Sequence, residues 1–238
     1  MGVTFRRSEL CMVAGQPGAG KSAFALVFAM RARVPTLYFS ADSSARNQAM
    51  RILASMHHRQ QDDMEVWLDQ YPDWSSQQLD LGTHHIRWAF EAAPNLQDIE
   101  EEVDAYVTLY GQAPHLLIVD NLVDVVAGDS DEGGNLRSLT KELHFFARHY
   151  GCCVLTLHHV SESNVYRNEP CPPRAAIQFK VNQTPALILT LAHQPEGLSM
   201  WIATVKNRTG PADASGKTAV QFTFDAGSMT LIDPKDRR

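Results

Sequence analysis

Residues Gly15-Gln16-Pro17-Gly18-Ala19-Gly20-Lys21-Ser22 decide how this chain is read. They form a complete Gly-x-x-x-x-Gly-Lys-Ser loop, lying between an apolar run, Leu10 to Ala14, and a helical run, Ala23 to Met30. The glycines let backbone N–H groups turn inward onto phosphate oxygens, Lys21 reaches the β and γ oxygens, and Ser22 offers its hydroxyl to Mg2+. The helix that follows points its positive N-terminal end at the same anion. A strand before the loop and a helix after it are the context this chemistry needs, so the sequence predicts that residues 15–22 bind a nucleoside triphosphate.

Working outward from the loop, apolar strand-like runs alternate with helical ones, the pattern of an α/β domain built on a mostly parallel sheet. Strands are predicted near Leu10–Ala14, Thr36–Ser40, Ile86–Phe90, Leu116–Asp120, Val154–Leu157, Ala186–Leu191, Met200–Val205 and Val220–Phe224. Helices are predicted over Lys21–Ala32, Ser44–Met56, Leu96–Tyr110 and Asn135–Tyr150. After Leu157 short strands follow one another, so antiparallel hairpins should extend the sheet at the C-terminal end. The 238 residues, 44% of them hydrophobic, suit one large domain over residues 1–238.

No apolar stretch approaches the roughly 20 residues needed to cross a bilayer, and Met1 to Leu10 lacks the apolar segment of a secretory signal. A cytoplasmic protein with no membrane partner is expected. The four cysteines fall in no ligand spacing, which suits reduced thiols. Paired histidines at 57–58, 84–85 and 158–159 are adjacent in sequence, and on a strand such neighbours face opposite ways, so a histidine metal site is not expected. The net charge of −6 argues at first against nucleic acid, but twelve carboxylates and one base lie between Arg59 and Pro114. The remainder holds twenty bases against fifteen acids, which permits a basic channel.

His115-Leu-Leu-Ile-Val-Asp120 is an apolar run closed by an acid, which puts Asp120 at a strand tip where it can hold the water shell of Mg2+ bound by Ser22. Two stretches read as functional loops, Val126 to Gly134 and Ser161 to Pro173. Each follows a strand of the central sheet and is placed on or beside the nucleotide side.

These residues resemble the RecA-like ATPase domain of DnaB-type replicative helicases and their phage and plasmid relatives. The resemblance is carried by Ser8-Glu9-Leu10 with the phosphate loop and Ala23-Phe24-Ala25-Leu26, by Phe39-Ser40-Ala41-Asp42 with Met50-Arg51-Ile52-Leu53-Ala54-Ser55, by Leu116 to Asp120, by Leu157-His158-His159, and by Val205-Lys206-Asn207-Arg208-Thr209-Gly210-Pro211. It implies an ATP- and Mg2+-dependent helicase or translocase that acts on single-stranded DNA during replication, alongside other replication proteins. In the family Lys206 and Arg208 would reach the nucleotide of a neighbouring subunit, which implies a homo-oligomeric ring, a hexamer by resemblance. Asp42 stands where the family usually has glutamate to orient the attacking water, and is one methylene shorter. Asp42 or Ser43 is also a candidate N-cap for the following helix. His159 would sense the γ-phosphate, and Arg167 and Arg174 would contact the DNA backbone.

The chain departs from the family pattern in starting almost at the first core strand, without the collar domain that precedes it there. The acidic insert of residues 60–83, with Trp67, Tyr71 and Trp74, either replaces a lost subunit contact or caps the core. Two other functions stay open: a recombinase or recombination mediator of the same fold, and a nucleotide-controlled switch or helicase loader with weak hydrolysis.

Overall fold

The computed structural model describes residues 3–126, 132–161, 169–194 and 198–233, with the side chain of Glu132 left aside. Their strands form one sheet of nine in the order β3-β2-β4-β5-β1-β6-β7-β8-β9. In chain order the elements are β1 (Leu10–Gly15), α1 (Lys21–Ala32), β2 (Thr36–Ser40), α2 (Ala45–His57), α3 (Gln61–Gln70), α4 (Pro72–Thr83), β3 (Ile86–Ala89), α5 (Leu96–Tyr110), β4 (Leu116–Asp120), α6 (Glu132–His149), β5 (Cys153–His159), β6 (Leu187–Gln194), β7 (Ser199–Asn207), β8 (Ala219–Asp225) and β9 (Thr230–Ile232).

Strands β1 to β6 pair in parallel, and β6 to β9 pair antiparallel. The sequence placed the change of direction after Leu157, whereas β6 still runs parallel to β1, and only β7 turns back. Every residue of β1, β2 and β4 is buried, which is why the interiors of these strands are mostly apolar. Each sheet face carries its own core: Leu10, Met12 and Ala14 pack with α5 and α6, while Cys11 and Val13 pack with α1. Alternate residues of one strand thus serve both layers.

Helix ends follow local chemistry. Asn95 and Asp98 close a reciprocal capping box at the start of α5, and Gly111 ends that helix in a left-handed conformation. Ser44 caps α2 by accepting from Asn47 N at 3.3 Å. This corrects the expectation that Asp42 or Ser43 fills that role, because the helix starts at Ala45 and the cap must immediately precede it.

The insert of residues 60–83 is helical, which the sequence reading left unassigned. Trp67, Tyr71 and Trp74 lie at helical spacing, interrupted by Pro72, which opens α4 in a position that needs no N–H. Met64 is fully buried with Leu53 and Ala54 of α2, and Trp67, Leu68, Trp74 and Leu79 pack around it. Trp67 and Trp74 meet edge to face at 5.0 Å, and Tyr71 stays exposed. Two of the three aromatics therefore cap a satellite core. Met64→Ala should lower stability by about 2–5 kcal/mol, the usual cost of emptying a buried methionine site. Denaturant unfolding measures this, and nucleotide binding by the folded variant should be unchanged because the satellite core lies outside the phosphate loop.

Candidate functional site

The phosphate loop joins the end of central strand β1 to α1. Gly18 and Gly20 hold positive φ of 75° and 83°. A Cβ at Gly20 would meet Met200 Cε, the mobile end of a flexible side chain, so it is the positive φ that demands glycine there. No side chain caps the start of α1 and its first turn has no acid, which leaves the helix end suited to a phosphate. Lys21 Nζ folds back over the loop, donating to Gly15 O at 3.2 Å and Gln16 O at 3.1 Å. Burial lowers its pKa, opposed by the negative charges of Asp120 and Asp42.

Asp120 ends β4 and is only 4% exposed. Its two carboxylate oxygens are separately engaged: Ser22 Oγ donates to Oδ1 at 3.1 Å and Tyr38 OH donates to Oδ2 at 2.9 Å. Burial raises its pKa to about 6, against the lowering effect of those two hydrogen bonds. A hydroxyl and a carboxylate side by side form a hard-oxygen pair suited to Mg2+. The withdrawal of Asp120 from water leaves a buried acid that a bound cation would satisfy, so the residues present fit the ion.

His159 ends β5, with Nδ1 3.4 Å from Lys21 Nζ and Nε2 3.0 Å from Asn121 Nδ2. Burial and then the Lys21 charge lower the His159 pKa, which keeps the imidazole neutral near pH 7. Asn121 Oδ1 is buried without a partner. With Nδ1 accepting from Lys21, Nε2 carries the proton and donates to the Asn121 amide only if that amide is turned to present Oδ1, which leaves its nitrogen in the buried position. Asp42 is exposed just beyond β2, and its charge is felt at Lys21, Asp120, His159 and Asp124. Its loop is held by Ser40 Oγ donating to Ser43 O at 3.0 Å and by Arg51 donating to Ser43 Oγ at 2.9 Å.

Residues 15–22, Asp42, Asp120 and His159 therefore meet at the carboxyl ends of the parallel strands. Lys206 and Arg208 do not join them. The neighbours of β6 set their place: Leu187 pairs with Cys11 and Asn207, and Arg208 N donates to Ala186 O. Arg208 thus sits level with the start of β1, about 17 Å along the strands from Gly15 at ~3.3 Å per residue. Lys206 Nζ donates to Asn182 O at 3.1 Å and Gln183 O at 2.6 Å, and Arg208 donates to Thr184 O at 3.1 Å. Burial and then the charges of Arg208 and Arg174 push the Lys206 pKa down to about 8. Arg174 is exposed and accordingly groups with Lys206. Arg167 lies outside the described residues, as do residues 127–131 of the first loop.

Three contributors escaped sequence reasoning. Asn121 follows Asp120 directly, and a second polar residue at a strand tip was the available signal. Tyr38 was detectable only as a phenol at the centre of a short strand, since a buried hydroxyl requires a partner. Asp124, half-buried in the short turn after Asn121, has a pKa raised by burial and then by the Asp42 charge, and no motif marks it.

The chain belongs to the AAA domain family, whose model matches residues 4–165. Among curated proteins it is 36% identical over 241 residues to the Gene 65 protein of Mycobacterium phage L5, which covers 98% of this chain and 88% of that protein. It is 35% identical over 231 residues to the Gene 65 protein of Mycobacterium phage D29, covering 94% and 99%. Among solved structures it matches a DnaB-like replicative helicase, described with its interactions with primase, at a TM-score of 0.80 and 14% identity. That match covers 96% of this chain and 58% of the helicase chain. A second solved structure, described as an ATPase domain, matches at the same TM-score and identity, with 86% of that chain covered. The RadB recombinase matches at 0.57 and 13%. The fold is the RecA-like ATPase fold of DnaB-type helicases. No described helix is long and apolar enough to cross a membrane.

The buried acid makes the site sensitive to pH. A carboxyl whose folded pKa of about 6 exceeds its ordinary 3.8 stabilises the fold while protonated. That contribution is complete below the ordinary value and is lost as pH rises through about 6, an effect on the order of 3 kcal/mol. Without nucleotide and Mg2+, Asp120→Asn should therefore gain stability relative to wild type as pH rises from 4 to 7, as read by urea denaturation. A pH-independent difference would mean that Asp120 ionises freely.

Proposed function

We propose that this protein is an ATP-hydrolysing motor of the DnaB type that works on single-stranded DNA during replication. In this reading Lys21 and the backbone of residues 15–22 hold the triphosphate. Ser22 and Asp120 would hold Mg2+, which would neutralise phosphate charge. Asp42 orients the attacking water. His159 reports the γ-phosphate through its links to Lys21 and Asn121. Lys206 and Arg208 complete the reaction centre of a neighbouring copy, and Arg174 and Arg167 face the DNA.

One observation carries the proposal: two cations of a helicase-like motif stand across the length of the sheet from their own phosphate loop, fixed on backbone carbonyls. A guanidinium so placed cannot reach its own γ-phosphate. It can act only on a nucleotide brought by another subunit, and it then makes hydrolysis depend on assembly. The ring, its hexameric count and the engagement of other replication proteins follow from the same reading.

A second reading, a nucleotide-controlled switch or loader with weak hydrolysis, draws on Asp42. That carboxylate is short and exposed, a poor holder of water for in-line attack. The recombinase reading draws on the weaker likeness to RadB.

Hydrolysis by wild type and Arg208→Ala, with and without single-stranded DNA, separates them when light scattering follows assembly. Wild type should be stimulated by DNA, and Arg208→Ala should lose that stimulated turnover by about 10³-fold or more while still binding ATP. Wild-type hydrolysis indifferent to DNA and to assembly would favour the switch.

A further inference from the structure

Tyr38 lies wholly buried in β2, with no exposed surface and a ring stacked on Trp88 at 4.7 Å. Its strand lies beside β4 in a register that pairs Tyr38 with Ile118 and Ser40 with Asp120. The phenol therefore reaches two residues along the neighbouring strand, and its hydroxyl meets Asp120 Oδ2 at 2.9 Å. A phenylalanine would fill the same volume in this core. What tyrosine adds is one donor, aimed at the acid of the phosphate site.

The second oxygen explains the geometry. Ser22 donates to Oδ1 from the first turn of α1, so the carboxylate is held at each of its oxygens by a different element. One hydrogen bond would leave it free to turn about its Cβ–Cγ bond; two at different oxygens fix its plane. Burial and the adjacent Asp120 charge hold the Tyr38 pKa well above its ordinary value, so the phenol remains a donor.

We propose that Tyr38 is a positioning residue, which locks the Asp120 carboxylate in the plane that presents Oδ1 to the Mg2+ shell beside Ser22. It acts through Asp120 and touches neither nucleotide nor ion. The inference rests on the reading of Ser22 and Asp120 as the Mg2+ residues. Preorganising the oxygen removes the cost of ordering it when the ion arrives.

Binding of a fluorescent ATP analogue, titrated with Mg2+, tests it. In Tyr38→Phe the Mg2+ concentration for half-saturation should rise roughly ten-fold, the worth of one hydrogen bond to a charged group, while Mg2+-free binding stays as in wild type. In an Asp120→Asn background the same substitution should change nothing further. A ring that served only for packing would cost the same in both backgrounds, and that result would overturn the proposal. So would an equal Mg2+ requirement in wild type and Tyr38→Phe. A wild type whose nucleotide binding ignores Mg2+ overturns both this proposal and the site reading beneath it. If Tyr38→Phe fails to fold, 3-fluorotyrosine at position 38 keeps the hydroxyl and the shape. Its fluorine resonance should move when Mg2+ joins bound nucleotide, and a static resonance would sink the idea.

Discussion

The site depends on a carboxylate taken out of water. Asp120 ends a fully buried strand, and donors from two neighbouring elements meet its two oxygens and offset part of the cost that burial puts on its charge. That arrangement draws the rest together. Ser22 can reach Oδ1 only because α1 starts where β1 ends, and Tyr38 can reach Oδ2 only because β2 lies against β4 in its observed register. On the other side of β4, β5 brings His159 to the same end of the sheet. The parallel sheet and its order are thus conditions of the chemistry.

Charge is divided between the two ends of the sheet. At the carboxyl ends of the strands, Asp120 and Asp42 lie near Lys21 and Asp124 lies near Asp42, an arrangement that accepts a cation readily and a polyphosphate only with help. At the opposite end Lys206 and Arg208, with Arg174 nearby, are held by carbonyl oxygens of residues 182–184. None of the ion pairs among the described residues involves these three cations. The two ends are opposite in charge. A head-to-tail meeting of two copies would join them, which is the reason the proposed function centres on assembly.

Much of this was readable from the residues, for specific reasons. The phosphate loop is contiguous, so its chemistry and its flanking elements appear in one short stretch. Strands β1, β2 and β4 are buried on both faces, and their interiors read as mostly apolar runs. The insert was harder: its aromatics at 67, 71 and 74 have helical spacing, yet Pro72 and six acids obscured the period. The partnership of Tyr38 with Asp120 depends on strand register, which periodicity does not encode. Arg174 was assigned by its loop, while its electrostatic neighbour Lys206 lies 32 positions away in sequence. The turn of the sheet came one strand later than expected, because the step from β5 to β6 crosses over through residues 174–183 in short helical turns too brief to register as a helix.

The central claim, that one copy supplies the cation missing from the reaction centre of another, is tested most directly by mixing two inactive variants. Lys21→Ala lacks a working phosphate loop and keeps Arg208; Arg208→Ala has the reverse. If catalysis occurs between subunits, each variant alone is inactive and the mixture recovers ATP hydrolysis, because some interfaces pair an intact loop with an intact arginine. A mixture that stays as inactive as its parts, under conditions where the two variants co-assemble, would contradict the account.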